Sequence, residues 1–363
     1  MKRAVAALAI ALLALAACTP LSYYSQSIGG HLDILRAAKP IADWLADPAT
    51  PDALKARLEK VRAMRSFAAR ELALPDNRSY TTYADLHRPF ALWNVFATPE
   101  LSLTLRQWCF PVVGCVAYRG YYEKAEAEAY ASQLRASGDD VYVGGVPAYS
   151  TLGYTTDPVL STFIGYPEGE VARLIFHELA HQVVYVAGDS TFNESFAVAV
   201  EEEGVKRWFD ARAAAHLDAA SAEAYRLFMR RKATFIALLA RHRSALESAY
   251  ADAGDDSAKR RAKAAEFTAL HADYEAAKTD PASALYGFGG YDRYFAQALN
   301  NANLAAVATY TQRVPAFAKL LRDDHDDLPA FYASVGRLAK LPTGERNARL
   351  DGLTSERPLA QRE

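Results

Sequence analysis

The stretch Leu174–Gly204, LIFHELAHQVVYVAGDSTFNESFAVAVEEEG, decides how this chain is read. It carries His177, Glu178 and His181 in the order H-E-x-x-H, and twelve residues separate His181 from Glu194. Residues 170–187 alternate charged and apolar groups at helical spacing. Pro167 suits the first helical position, Glu168 and Glu170 sit where the helix dipole favours acids, and Gly188 is a natural stop. On that helix His177 and His181 are four residues apart and leave the same face.

Two imidazoles on one face form a clamp for a metal ion, zinc above all. Glu178 is turned by about 100° from His177, so it borders the metal instead of binding it. From there a carboxylate can take a proton from metal-activated water and pass it to a leaving amine. A site of this kind needs a third protein ligand and a position left open for water. Glu194 is the expected third ligand, on a second helix that the turn Asp189-Ser190-Thr191 sends back along the first. A competing reading gives Glu194 to a capping box with Thr191. Glu201, seven residues on, shares a face with Glu194 and is expected to orient a ligating histidine, unless Glu201–Glu203 is merely an exposed acidic run.

HELAHQ followed by NESFA resembles the gluzincin metallopeptidases, the aminopeptidase N type in particular, whose motifs read H-E-x-x-H and N-E-x-x-A. That resemblance implies zinc on His177, His181 and Glu194, Glu178 as the base, and Asn193 as a support of the site. The gap to the third ligand is shorter here than in those enzymes. No G-x-M-E-N stretch, which grips a free amino terminus in that group, is present. The mature chain as a whole is similar to a family of aminopeptidase lipoproteins of Gram-negative bacteria. The resembling segments include LSYYSQSIGGHLDIL, LPDNRSYTTYADL, WNVFATPELSL, WCFPVVGCVAYRGYY and NNANLAAVATY. A mechanism of this type also wants a donor for the oxyanion, and Tyr291, Tyr294 and Tyr310 are the expected choices.

Working outward to the start, Met1-Lys2-Arg3 and the apolar run to Ala17 have the charge pattern of a secretory signal and are too short to span a bilayer. The run ends in Leu15-Ala16-Ala17-Cys18, which resembles a bacterial lipobox. Residues 1–17 are therefore expected to be removed and Cys18 to carry lipid; an ordinary signal peptide cleaved nearby is the alternative. Thr19 after the cysteine points to the outer membrane, with the chain facing the periplasm. Loss of Lys2 and Arg3 takes the net charge from −2 to −4, which argues against nucleic acid as a partner. Cys109 and Cys115 remain, an even pair in an oxidising compartment, and are expected to form a disulfide instead of staying reduced.

The rest fits an α+β fold, mostly helical, zincin-like, with a small mixed sheet beside the H-E-x-x-H helix. Helices are expected over 21–70 and 205–280, and one more from Pro315 to Leu341. Short strands are expected over 75–122 and at Val141–Tyr149, the latter either an edge that pairs with extended substrate or an ordinary core strand. Residues 18–341 read as one catalytic unit, and the tail 342–363 as polar and disordered. The favoured function is a zinc peptidase, an aminopeptidase by resemblance, acting on peptides. The alternatives are a non-catalytic envelope lipoprotein with a structural metal, or a hydrolase of cell-wall peptides.

Overall fold

The computed structural model describes residues 22–110, 113–215, 219–252 and 254–355; the stretch expected to be a signal segment and Cys18 lie outside them. Helices dominate around small sheets, in agreement with the α+β class expected from the sequence. Among the described residues no helix is long and apolar enough to cross a membrane.

Instead of one small sheet there are two, and a separate hairpin. The first joins β1 (Lys39–Pro40), β2 (Thr82–Ala84) and β8 (Val159–Leu160), antiparallel and then parallel. The second is antiparallel, with β3 (Leu92–Pro99) between β6 (Arg119–Tyr121) and the edge strand β7 (Asp139–Val146). β3 is buried on both faces, which suits its aromatic and β-branched content. One face packs Trp93, Val95 and Ala97 on Ala127 and Ala131 of α4 (Lys124–Ala136); Phe96, on the other, meets Ala302 and Ala306 of α10 (Asn301–Thr311). The hairpin, β4 (Trp108–Phe110) and β5 (Gly114–Val116), pairs Cys109 with Cys115, and the two are joined by a disulfide.

At the amino end, helix α1 spans residues 22–37, followed by α2 (Ile41–Ala46) and α3 (Asp52–Glu71). The main buried cluster runs from Ile34 on α1 to Leu350 near the carboxyl end, with α5 (Glu168–Ala180) and α6 (Ser190–Ala214) at its centre. These two helices cross closely at Gly204, where an added Cβ would come within 2.9 Å of Phe176 and Leu72 side chains. Two long helices, α7 (Ala219–Asp252) and α8 (Asp256–Thr279), form a hairpin with its own core of Leu239, Leu246, Leu270 and Tyr274. The short α9 (Asp292–Phe295) follows it.

Two expectations about the carboxyl end need correction. The helix after Pro315 is two, α11 (Val314–Asp323) and α12 (Leu328–Ala339), broken where His325 and Asp326 take left-handed φ of 58° and 57°. The tail is a helix as well, α13 (Thr343–Ser355), docked through the buried Leu350 and Arg346. The Arg346 guanidinium donates to Asp189 Oδ2 at 2.7 and 3.0 Å, a buried ion pair that a count of polar residues does not reveal.

Candidate metal centre

Helix α5 ends earlier than its sequence pattern suggests. Ala180 is its last residue and His181 its C-cap, still right-handed at φ −59° and ψ −22°. The chain leaves the helix at the β-branched Val183 and Val184, and Asn193 then holds the connector. Its Oδ1 accepts from Val186 N and its Nδ2 donates to Val186 O, both at 2.8 Å. Asn193 thus supports the site through this staple and, among the described residues, hydrogen-bonds no histidine through its side chain. Asp189, not Thr191, caps α6 by accepting from Phe192 N at 3.0 Å. Glu194 is therefore not needed at the helix start.

Glu194 points inward, together with both histidines. His177 Nε2 lies 3.2 Å from Glu194 Oε2 and 3.2 Å from His181 Nε2; His181 Nε2 is 3.7 Å from the same carboxylate oxygen. All three side chains are buried, and they form a group that could hold a metal ion. Ligands at tetrahedral angles and bond lengths near 2.0–2.1 Å stand about 3.3–3.4 Å apart. The observed triangle is close to that. Two imidazole nitrogens and one carboxylate oxygen are also a donor set that suits a zinc-like ion.

Glu201 accepts from His177 Nδ1 at 2.9 Å and is fully buried. That contact fixes the tautomer and leaves the Nε2 lone pair for the triangle. Arg173 at 3.2 Å and Lys232 at 3.1 Å, from α5 and α7, hold Glu201 in turn. Burial would raise the Glu201 carboxyl, but Arg173, Lys232 and His177 outweigh it and hold it well below the usual range. Glu194 is likewise desolvated, yet the two histidines bring it down to about 2. Burial opposes charge on His177; its hydrogen bonds to both acids win and push its pKa up to about 10. Without a metal, a proton takes up this excess of negative charge.

Glu178 differs from its neighbours. It is buried, and its carboxylate takes no hydrogen bond from any described residue. Burial raises its pKa, the two histidines lower it, and Glu194 and Asp157 raise it again, for a net upward shift. A free, desolvated carboxylate of raised basicity beside a cation site is suited to carry protons.

Four tyrosines feel the charge of Glu178 or Glu194, and only Tyr310 was expected; one of the others, Tyr185, donates to Val113 O at 3.4 Å. Burial, and then the charges of Glu194 and Glu178, hold the Tyr118 and Tyr310 hydroxyls well above the usual phenol range. Neither hydroxyl bonds another described residue. The last, Tyr80, is fully buried with its hydroxyl unpartnered, and Glu178 and Asp157 add to the effect of burial on it. Its φ of 64° is strained for an aromatic residue. Arg65 holds it there by donating to the carbonyls of Pro75, Asn77 and Ser79, while Tyr80 N donates to Asp157 O at 2.6 Å. Tyr291 and Tyr294 are elsewhere. They pack on Phe235 in the α7–α8 core, Tyr291 stacked at 4.1 Å. Tyr118 follows the disulfide hairpin closely in sequence, and spacing alone gave no sign of it.

The hairpin bears on the same site. Val113 O accepts from Gly188 N at 3.2 Å, and a Cβ on Gly114 would meet Gly188 N at 2.7 Å. With φ +75°, Gly114 needs both its conformational freedom and its lack of a side chain. The connector between α5 and α6 is thus pinned by Asn193 from within and by the hairpin from outside.

A family model described as "Putative aminopeptidase" matches residues 22–350, nearly the whole described chain. Searches of curated proteins and of solved structures found no match.

Proposed function

The chain belongs to this aminopeptidase family, and on that premise we propose that it is a zinc-dependent peptidase of gluzincin type with a zincin-like catalytic unit. The observation that carries the reading is the convergence of His177, His181 and Glu194 on one point, with the unbonded Glu178 beside it. When bound there, a divalent ion supplies Lewis acidity to the scissile carbonyl and to water. Glu178 takes the proton of the attacking water and hands it to the leaving amine. Tyr118 and Tyr310 offer free hydroxyls to the developing oxyanion. Glu201 keeps His177 in the ligating tautomer.

The substrate is a peptide, and the family name points to its amino end. Glu178 and Asp157 make no ion pair with a described lysine or arginine. An α-ammonium arriving with the substrate would offset that charge. The edge strand β7 is the place for an extended substrate backbone. Lipid on Cys18 would hold the enzyme at the outer membrane, facing the periplasm.

Cleavage-site profiling with a mixed peptide library, each member with a free or an acetylated amino terminus, tests the reading. Release of first residues from free termini only is the expected result. Cleavage within blocked peptides would make the protein an endopeptidase, and cleavage of muropeptides alone a cell-wall hydrolase. No metal-dependent hydrolysis of any peptide would leave a structural metal site.

A further inference from the structure

Five large apolar residues stand exposed among those described: Tyr24, Ile28, Leu32, Tyr154 and Tyr286. Three of them lie on α1 at intervals of four, so they form one stripe along the helix. Their exposures are 37%, 60% and 40%. The opposite face is firmly seated. Ile34 is buried, Gly30 lies against the Tyr122 ring, and the Gln26 side chain bonds Tyr122 N and Gly120 O on the second sheet. One side of the helix is thus seated by Ile34, Gly30 and Gln26, and the other carries an apolar stripe where a solvated surface helix would carry polar residues.

We propose that the outer face of α1 is a membrane-contact surface, with Tyr24, Ile28 and Leu32 set into the lipid headgroup boundary. This rests on the reading of Cys18 as the lipidated residue. Only Thr19, Pro20 and Leu21 separate Cys18 from the first turn of the helix. Four residue steps at full stretch reach about 14 Å. A lipid on Cys18 therefore holds the helix at the bilayer surface, and the face left to meet it is the apolar one. Tyr23 and Tyr24 pack on Phe110 at 5.4 and 6.5 Å, which adds aromatic surface at the lipid-proximal end, where such rings are favoured. Lys39, exposed at the far end, suits anionic headgroups, while Arg36 near it pairs with Asp33 at 2.9 Å. The stripe acts as a second attachment beside the lipid and sets the orientation of the whole molecule on the surface.

The test uses the full lipidated chain in vesicles of phosphatidylethanolamine and phosphatidylglycerol. Cys18 is capped by its lipid and Cys109–Cys115 is a disulfide, so a cysteine introduced at Ile28, Leu32 or Asp33 is the one reactive thiol for a nitroxide label. All three positions are exposed, and Ile28→Cys, Leu32→Cys and Asp33→Cys leave the packed face intact. Labels at 28 and 32 should relax several-fold faster with oxygen than with a water-soluble nickel chelate, and the label at 33 should show the reverse. Equal access to the chelate at all three overturns the proposal. Spin–spin broadening at 28 that persists as the protein is diluted in lipid also overturns it, in favour of a second copy on the stripe. The mass of the mature amino terminus separately reports whether Cys18 carries lipid. An unlipidated cysteine removes the anchor, and the same labels are then read in a Cys18→Ser background on added vesicles, where exclusion of the chelate from 28 and 32 still supports the stripe.

Discussion

Two helix hairpins in this protein bury a histidine between two carboxylates, and only one of them leaves donor atoms converging on a single point. In the α5–α6 pair, His177 meets Glu201 at 2.9 Å and Glu194 at 3.2 Å. In the α7–α8 pair, His242 meets Glu266 at 2.6 Å and Asp273 at 3.0 Å. The difference lies in where the donor atoms point. Both nitrogens of His242 are used up on opposite sides, and Arg241 also engages Asp273, which is 43% exposed. That constellation is closed and partly solvated. At His177 one nitrogen is fixed from behind, and the other shares a small volume with His181 and Glu194, out of water. Buried histidine plus carboxylate is therefore a common staple; convergence of lone pairs on an unfilled point is what separates a ligand set from it.

The largest expected effect is at the residue that has no counterpart in the second hairpin. Glu178→Gln should lower kcat by about 10²–10⁴-fold and leave one metal bound per chain, read by steady-state kinetics and elemental analysis. Full activity in that variant would remove Glu178 from the mechanism. Next come the free hydroxyls. Tyr118→Phe and Tyr310→Phe are made singly, and whichever serves the oxyanion should cost about 10²–10³-fold in kcat with little change in KM. If neither does, the oxyanion donor is not a tyrosine of this pair.

A smaller effect tests the comparison directly. Glu201→Gln should weaken metal binding by about 10–100-fold, through loss of the acid behind His177. Glu266→Gln alters the same contact in the other hairpin and should leave metal affinity unchanged. Equal effects from the two would mean that the second hairpin reaches the site. The smallest effect is one of pH. His177 in the metal-free chain holds a proton with a pKa of about 10, against an ordinary 6.5. A metal must displace that proton, so apparent affinity should climb by about tenfold per pH unit until about pH 10. The same raised value stabilises the metal-free fold fully below pH 6.5, and the contribution is lost as pH rises through about 10. Melting temperatures of the metal-free chain should fall across that window, and those of the metal-loaded chain should not.

Much of this site was legible because helix periodicity is local. His177, His181, Glu194 and Glu201 are related by spacing along two helices, and their common face follows from 3.6 residues per turn. The cysteine pair was legible on other grounds, an even count in a compartment expected to be oxidising, and the two are joined across one hairpin. Tyr80 and Tyr118 were not. Tyr80 reaches Glu178 only through a left-handed backbone held by Arg65, and Tyr118 only through the fold of the second sheet. The tail misled for a related reason. Polar composition read as disorder, but Arg346 is polar because it pairs with Asp189, the residue that caps α6.

Helix α1 also has a duty on its inner side. His31 Nδ1 meets the Tyr149 hydroxyl at 2.8 Å and His31 Nε2 meets Thr155 Oγ1 at 3.2 Å, on the segment that leads to Asp157. A protease that clipped the chain just after residue 37 would take both contacts with it. The segment from Tyr149 to Asp157, whose Asp157 carbonyl holds Tyr80 N, would then lose its support from the amino-terminal helix. On the lipid anchoring proposed for Cys18, the cut that frees the chain is also the cut that loosens this segment.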